Sequence, residues 1–232
     1  MKIVLALFLL CYLGIEGSCQ QLGLFTGYCA NEYYDRAEEN PYFQSSYKKG
    51  NGGSVGIKIE QFRIIDKLRS DTFHLSMALK LATYTGDFKI YDGGRGSSQK
   101  LNLRSTKYLL GVEIIPFNKK IYNELRFSIG ADINFLIVHI IEGDQVSWMM
   151  NAGSAYKKLD TNDKQFNKPV TLGVNFNVQY NLKISEILYL TPAYSFYWGL
   201  TNEFEDCGAI ILSNRHCFNI GIAKRLVRRS YY

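Results

Sequence analysis

The sequence predicts an all-β protein: an eight-stranded antiparallel up-and-down transmembrane β-barrel with short periplasmic turns and long extracellular loops. Apolar and polar residues alternate along eight runs, as in LRFSIGADINF at residues 125–135. The connections between these runs alternate between short and long. Successive strand side chains point to opposite faces, so each run has one apolar and one polar face. In a membrane barrel the apolar face meets lipid and the polar face fills the interior.

The N-terminal segment predicts export. Residues 1–19 are interpreted as a secretory signal peptide, and residues 20–232 as an outer-membrane β-barrel domain. Lys2 is followed by an apolar stretch over residues 3–13, and small residues precede a cleavage site expected near Cys19. Such a stretch is too short to anchor the chain in a bilayer. A lipoprotein with a lipidated Cys19 is the alternative.

Eight alternating runs account for the mature chain. They cover residues 21–29, 54–62, 72–84, 106–115, 125–135, 170–180, 188–200 and 217–226. Short connections are predicted near residues 65–70, 118–121 and 182–185. Long polar connections are predicted at residues 30–51, 85–102, 139–167 and 201–213. An even strand number returns both chain ends to the periplasm, and Pro192 predicts a bulge because proline cannot donate to the strand ladder.

The polar faces predict a charged interior. If Lys119–Lys120 is a two-residue hairpin turn, Glu113 lies opposite Arg126 and Lys107 lies opposite Asp132. An eight-stranded barrel is just wide enough for side chains to fill it, and buried charges need partners. These four residues are therefore predicted to be interior charge pairs in a closed, salt-bridged plug. Other polar residues predicted in the interior are Lys58, Glu60, His74 and Lys80.

The cysteines and the charge balance limit the chemistry. Removal of Lys2 and Glu16 with the signal peptide leaves the net charge at +6. Export makes nucleic acid an unsuitable partner, and an anionic lipid or glycan surface fits the charge better. Cys207 and Cys217 can form a disulfide across one loop, and a bridge from Cys29 to Cys217 is the alternative. The sequence contains no CxxC pair and no supporting histidine spacing, so neither a metal site nor a cofactor is predicted.

The eight alternating strands, the signal peptide followed by Gln20 and the aromatic end RRSYY resemble the small outer-membrane β-barrel proteins. The resemblance is to the OmpA-like and Bacteroidota-type outer-membrane β-barrel group. It implies a porin-like fold in the outer membrane of a Gram-negative bacterium. It also implies outer-membrane lipid and the outer-membrane assembly machinery as partners.

No catalytic residue is predicted. His216 follows Ser213 closely and Glu203 lies nearby in the sequence, but their order does not match the serine–histidine pattern of outer-membrane lipid deacylases. The predicted function is structural or surface-binding, through contacts of the extracellular loops with a ligand or protein. The alternatives are a narrow pore, a lipid-modifying enzyme, and a secreted soluble β-sandwich in which the apolar faces pack against each other.

Overall fold

The computed structural model describes residues 21–35, 43–62, 75–92, 97–120, 124–149, 153–161, 168–204 and 210–226, and these contain strands and no helix. Accordingly, no membrane-spanning helix occurs in the described part of the chain. The strands are β1 (Gln21–Asp35), β2 (Phe43–Lys48), β3 (Gly50–Phe62), β4 (Leu75–Asp92), β5 (Ser97–Lys120), β6 (Leu125–Met149), β7 (Gly153–Thr161), β8 (Val170–Tyr180), β9 (Leu182–Lys183), β10 (Leu188–Leu190), β11 (Ala193–Gly199) and β12 (Ile211–Arg225).

The strands form a closed antiparallel barrel with eight positions in its ring. The ring order is β1, β3, β4, β5, β6, β8, β11 and β12, and β12 pairs with β1 from Gln21 opposite Arg225 to Asp35 opposite Ile211. We call the end that carries Gln21 and Arg225 the inner end, and the end that carries Asp35 and Ile211 the outer end. Closure of the ring confirms the predicted barrel and excludes the two-sheet sandwich.

The barrel wall has an apolar outside and a polar inside. On β12, Phe218, Ile220 and Ile222 are 62%, 52% and 54% exposed, whereas the alternating Cys217 and Ala223 are buried. The same alternation occurs on β8, where Thr171, Asn175 and Gln179 are buried and Leu172 and Phe176 are exposed. An apolar outer surface around a polar interior is the arrangement of a transmembrane barrel.

Several strands continue past the ring at the outer end. β4 is paired as far as Asp92, β5 is paired from Ser97 onwards, and β6 is paired as far as Met149. β2 pairs with the extended part of β4, and β7 pairs with the extended part of β6. The predicted long connections at residues 85–102 and 139–167 therefore consist largely of paired strand. The short connection predicted near residues 65–70 lies outside the described residues.

The register of the β5–β6 hairpin differs from the predicted one. Lys119 lies opposite Phe127 and Lys120 opposite Arg126, so these two lysines belong to paired strand and not to the turn. Two register shifts follow along the hairpin, one between Ile114 and Phe117 and one at Ile137. A bulge re-aims the residues beyond it, and the one at Ile137 brings His139 to the inward face, opposite Lys107.

The predicted bulge at Pro192 is absent. β10 and β11 pair with β12 in one continuous register, with Leu190 opposite Ile222 and Ala193 opposite Asn219. The Pro192 carbonyl accepts a hydrogen bond from the Tyr180 amide at the end of β8. Pro192, which has no backbone N–H to donate, therefore stands opposite the last residue of β8. β10 and β11 act as one strand of the ring.

The disulfide joins the first and last ring strands. Cys29 on β1 lies directly opposite Cys217 on β12, and the two sulfur atoms are bonded at 2.16 Å. Cys217 is therefore not available to Cys207, which lies outside the described residues, and the predicted Cys207–Cys217 bridge is wrong. Closure of the ring brings together two cysteines that are 188 residues apart in sequence.

Candidate functional site in the barrel interior

The inner half of the interior holds a charge cluster centred on Glu60. Lys58 Nζ lies 2.9 Å from one Glu60 carboxylate oxygen, and the Arg126 guanidinium binds the other oxygen. Lys58 also donates to Gln179 Oε1 at 2.9 Å, and Arg126 donates to Gln21 Oε1 at 3.2 Å. Lys58 on β3 and Gln179 on β8 stand four positions apart in the eight-position ring, so this contact spans the barrel diameter.

A second ion pair crosses an intervening strand. Lys80 on β4 binds Asp132 on β6, and β5 lies between the two strands. Gly111 on β5 lies directly opposite Lys80. A Cβ atom at Gly111 would lie 2.6 Å from Lys80 Cε. The absence of a side chain at this position therefore gives the lysine its path across β5.

A small cavity lies beside these groups. Its volume is about 60 Å³, and its lining includes Lys58, Glu60, Lys80 and Glu113. Since a water molecule needs about 15 Å³ of such space, the cavity has room for roughly four. Glu113 lies opposite Asp132 on β6, and no ion pair within 4 Å of its carboxylate occurs among the described residues. The arrangement suits water molecules between paired charges.

The outer end of the interior is organised by Glu203. This residue belongs to the connection between β11 and β12 and is 1% exposed. Its carboxylate lies 2.9 Å from Lys107 Nζ on β5 and 2.9 Å from the Arg215 guanidinium on β12, and it also accepts a hydrogen bond from Ser213. β5 and β12 stand four positions apart in the ring, so the carboxylate bridges opposite walls.

Aromatic rings surround the two cations of this cluster. The Arg215 guanidinium carbon lies 4.3 Å from the Tyr84 ring centre and 4.2 Å from the Tyr197 ring centre. Lys107 Nζ lies 4.2 Å from the centre of the Phe204 ring, which is buried. Aromatic faces attract cations, and the attraction strengthens where water is excluded. The rings therefore close the space around the ion pairs at this end.

Backbone hydrogen bonds hold the Glu203 segment inside the barrel. The Glu203 amide donates to the Ile211 carbonyl at 2.8 Å, and the Asn202 side chain accepts from the Ile211 amide at 2.9 Å. The Leu172 amide donates to Thr201 Oγ1 at 2.8 Å, which ties the segment to β8. Burial by itself raises the pKa of Glu203, but Lys107 and Arg215 outweigh it and lower the pKa to about 2. The carboxylate is therefore ionised at neutral pH.

The structure places the predicted interior charges inside the barrel but pairs them differently. Arg126 binds Glu60 and not Glu113, and Asp132 binds Lys80. Lys107 binds Glu203 and not Asp132. The predicted pairs depended on the Lys119–Lys120 turn, and they fail because the real turn lies farther along the chain. His74, also predicted in the interior, lies outside the described residues.

Sequence reasoning missed the residues that close the outer end. Arg215 falls on the inward face of β12, but it precedes the alternating run recognised at residues 217–226. Tyr84 and Tyr197 also point inward, at 2% and 3% exposure, whereas strand-end tyrosines suggest contact with lipid headgroups. Glu203 carries no local signal, because only the path of its connecting segment brings it into the barrel.

The serine and histidine near the end of the chain do not form a catalytic pair. Ser213 is buried inside the barrel and donates a hydrogen bond to Glu203. His216 lies on the opposite face of the same strand, where Tyr194 is its hydrogen-bond partner. Residues an odd number of positions apart on one strand point to opposite faces. Mutual contact, which a serine–histidine mechanism needs, is therefore absent.

The chain is similar in fold to solved structures of bacterial barrels. Neisserial surface protein A is 12% identical, with 88% of this chain and 97% of that chain covered and a TM-score of 0.40. The outer membrane protein OprG of Pseudomonas aeruginosa is 9% identical, with 90% and 97% covered and a TM-score of 0.40. The attachment invasion locus protein Ail of Yersinia pestis is 7% identical, with 90% and 100% covered and a TM-score of 0.37.

No protein-family model matches the sequence, and no curated protein matches it either. The structural likenesses have low identity and low TM-scores. The fold described above therefore rests on this chain's own strand pairing.

Proposed function

We propose that this chain is an outer-membrane β-barrel protein with a plugged interior, which acts as a structural or surface-binding protein and does not conduct ions. The apolar outward face of the ring supports a place in a membrane. A closed barrel of this kind leaves no unpaired strand edge in lipid. The predicted signal peptide supports export to the outer membrane.

The plug is supported by one observation above all. Glu203 is buried at the outer end and pairs at the same time with cations from opposite walls of the ring. Farther in, Lys58 reaches Gln179 across the diameter and Arg126 reaches Glu60. The cavity between these contacts has room for only a few water molecules. An ion would have to break several buried charge pairs in order to pass, which is costly.

Conductance measurements test this proposal. The mature chain is folded in detergent, checked for a heat-dependent shift in gel mobility and added to a planar lipid bilayer. We expect no steady single-channel current, whereas a trimeric porin added in the same way provides the conducting control. A reproducible current from the folded barrel would contradict the proposal and favour a narrow pore.

The surface-binding part of this proposal concerns the outer end of the barrel. The paired extension of β6 and β7, from Ile141 opposite Thr161 to Met149 opposite Gly153, provides an ordered backbone platform beyond the ring. The net charge of the whole chain is +6, which favours a polyanionic surface as the target of the protein. Replacement of residues 143–159 by a two-residue turn removes Lys157 and Lys158 together with Asp144, and it should weaken binding to immobilised heparin and leave the heat-dependent mobility shift intact. Equal heparin binding by the shortened and full-length barrels would contradict this role for the hairpin.

A further inference from the structure

A polar pair lies on the lipid-facing side of the barrel wall. His216 on β12 alternates with the outward-facing Phe218 and Ile220, and its Nδ1 atom lies 2.6 Å from the Tyr194 hydroxyl of β11. The imidazole also lies beside the Phe196 ring, at 4.9 Å between ring centres, and Ala30 of β1 stands opposite His216. Ionisable side chains that face lipid are rare and are associated with function.

The pair lies just below the outer aromatic girdle. Trp198, opposite Asn214 on β12, is 48% exposed and donates a hydrogen bond from its indole Nε1 to the Tyr34 hydroxyl at 2.7 Å. Tryptophan and tyrosine at the end of a lipid-facing strand mark the headgroup level. His216 is two residues closer to the membrane centre than Asn214, which is about 5 Å for a tilted strand. This depth corresponds to the boundary between lipid headgroups and acyl chains.

The two side chains together have one hydrogen-bond donor too many. A neutral histidine carries one N–H and tyrosine carries one O–H, and the bond between them uses only one of the two. Either tautomer of His216 therefore leaves a donor unused. Among the described residues, no protein acceptor for that second donor occurs. Hydrocarbon offers no acceptor either, and a polar group without a hydrogen bond in such surroundings is costly.

We propose that His216 and Tyr194 form a lipid-binding site that donates a hydrogen bond to an oxygen of an outer-leaflet lipid, either an ester carbonyl or a phosphate. Both oxygens are found at the depth of the pair. Phe196 and Phe218 pack around it and provide apolar contact for the acyl chain below the bound oxygen. This inference rests on the membrane placement proposed above.

Native mass spectrometry of the full mature barrel tests the site. The barrel is released from detergent micelles that contain either a diester phospholipid or the diether phospholipid with the same headgroup and chain length. We expect wild type to retain the diester lipid three- to tenfold better than the H216F variant, since a hydrogen bond is worth about 1 kcal/mol. The Y194F variant should show an intermediate loss, because it removes the partner that orients the imidazole.

A matched control and the second lipid sharpen the result. Tyr28 on β1 faces outward at 56% exposure and lies opposite Phe218, so Tyr28→Phe removes a hydroxyl from a similar depth but outside the pair. Its lipid retention should equal that of wild type. If the acceptor is a carbonyl, wild type should lose its advantage with the diether lipid, and if it is a phosphate, the advantage should persist.

Equal retention of both lipids by wild type, H216F and Y194F would overturn the proposed site. Each protein is first checked for the heat-dependent mobility shift. If H216F fails that check, Y194F, which changes one hydroxyl, carries the comparison. If wild type itself shows no shift, the result contradicts the proposed membrane barrel. If wild type shows the shift but the variants retain lipid equally well, the result contradicts only the lipid-binding site.

Discussion

The two ends of the barrel interior hold their charges in different ways. Among the described residues of the inner half, the charged side chains lie on ring strands, and Lys58, Arg126 and Lys80 pair with Glu60 on β3 and Asp132 on β6. At the outer end, two strand cations share a single carboxylate, Glu203, which comes from a connecting segment. The inner half contains a further carboxylate, Glu113, near Lys58 and Lys80, whereas Glu203 is the one carboxylate paired with Lys107 and Arg215 among the described residues. The outer cluster should therefore lose more stability when its carboxylate is removed.

Loss of Glu203 should have the largest effect. Glu203→Ala leaves Lys107 and Arg215 buried without a counter-charge, which should destabilise the barrel by about 3–5 kcal/mol. Urea unfolding in detergent, followed by the shift in gel mobility, gives the midpoint. Glu142→Ala, at an exposed position on β6, is the matched control and should leave the midpoint unchanged. Equal midpoints for Glu203→Ala and wild type would contradict the view that the outer cluster depends on one carboxylate.

Removal of the disulfide should come next in size. The Cys29–Cys217 bond closes a long loop through nearly the whole barrel, so replacement of both cysteines by alanine should lower the stability by about 2–4 kcal/mol. The bond joins β1 and β12, and β12 also carries Arg215 of the outer cluster. We therefore expect a lower urea midpoint for the double variant, and for wild type in reducing agent. No response of wild type to reductant would mean that strand pairing alone holds the seam.

Acid should weaken the outer end by a smaller amount. Because the folded pKa of Glu203 is lowered to about 2 from 4.5, its ionised form contributes stability that is fully present above pH 4.5. That contribution is lost as the pH falls towards 2, and roughly 2 kcal/mol should be gone at pH 3. The urea midpoints of wild type and Glu203→Gln are measured at pH 7 and at pH 3, and the difference between the two proteins is compared at the two pH values. A difference that does not shrink at pH 3 would contradict the assignment.

The smallest effect is expected at Asp132. Asp132→Asn removes the partner of Lys80, but Glu113 lies opposite Asp132 on the neighbouring strand and can take its place. We expect a loss of about 1 kcal/mol. The double variant Asp132→Asn with Glu113→Gln should cost more than the sum of the single changes, which a double-mutant cycle measures. Strict additivity would show that Glu113 does not serve as the reserve partner.

Alternation in the sequence predicted much of this barrel because the period of two is a local property of strands. Lys58, Glu60 and Lys80 could be assigned to the polar face without knowledge of any neighbour. The partners of Arg126 and Lys107 could not, since register depends on where a turn falls. A turn shifted by a few residues was enough to replace both predicted pairs.

The sequence by itself determined the eight ring strands and which face of each is apolar, because side-chain direction alternates along the backbone whatever the strand pairs with. It did not show that β4, β5 and β6 continue beyond the ring. Only the tertiary structure decided the contacts that depend on closure of the ring. Closure places Cys29 opposite Cys217, brings Glu203 between Lys107 and Arg215, and leaves His216 beside Tyr194 on the lipid-facing side. The physical reason is that these groups lie on segments that are separated in the sequence and share no local pattern. Their proximity follows from the register of the strands and the curvature of the barrel.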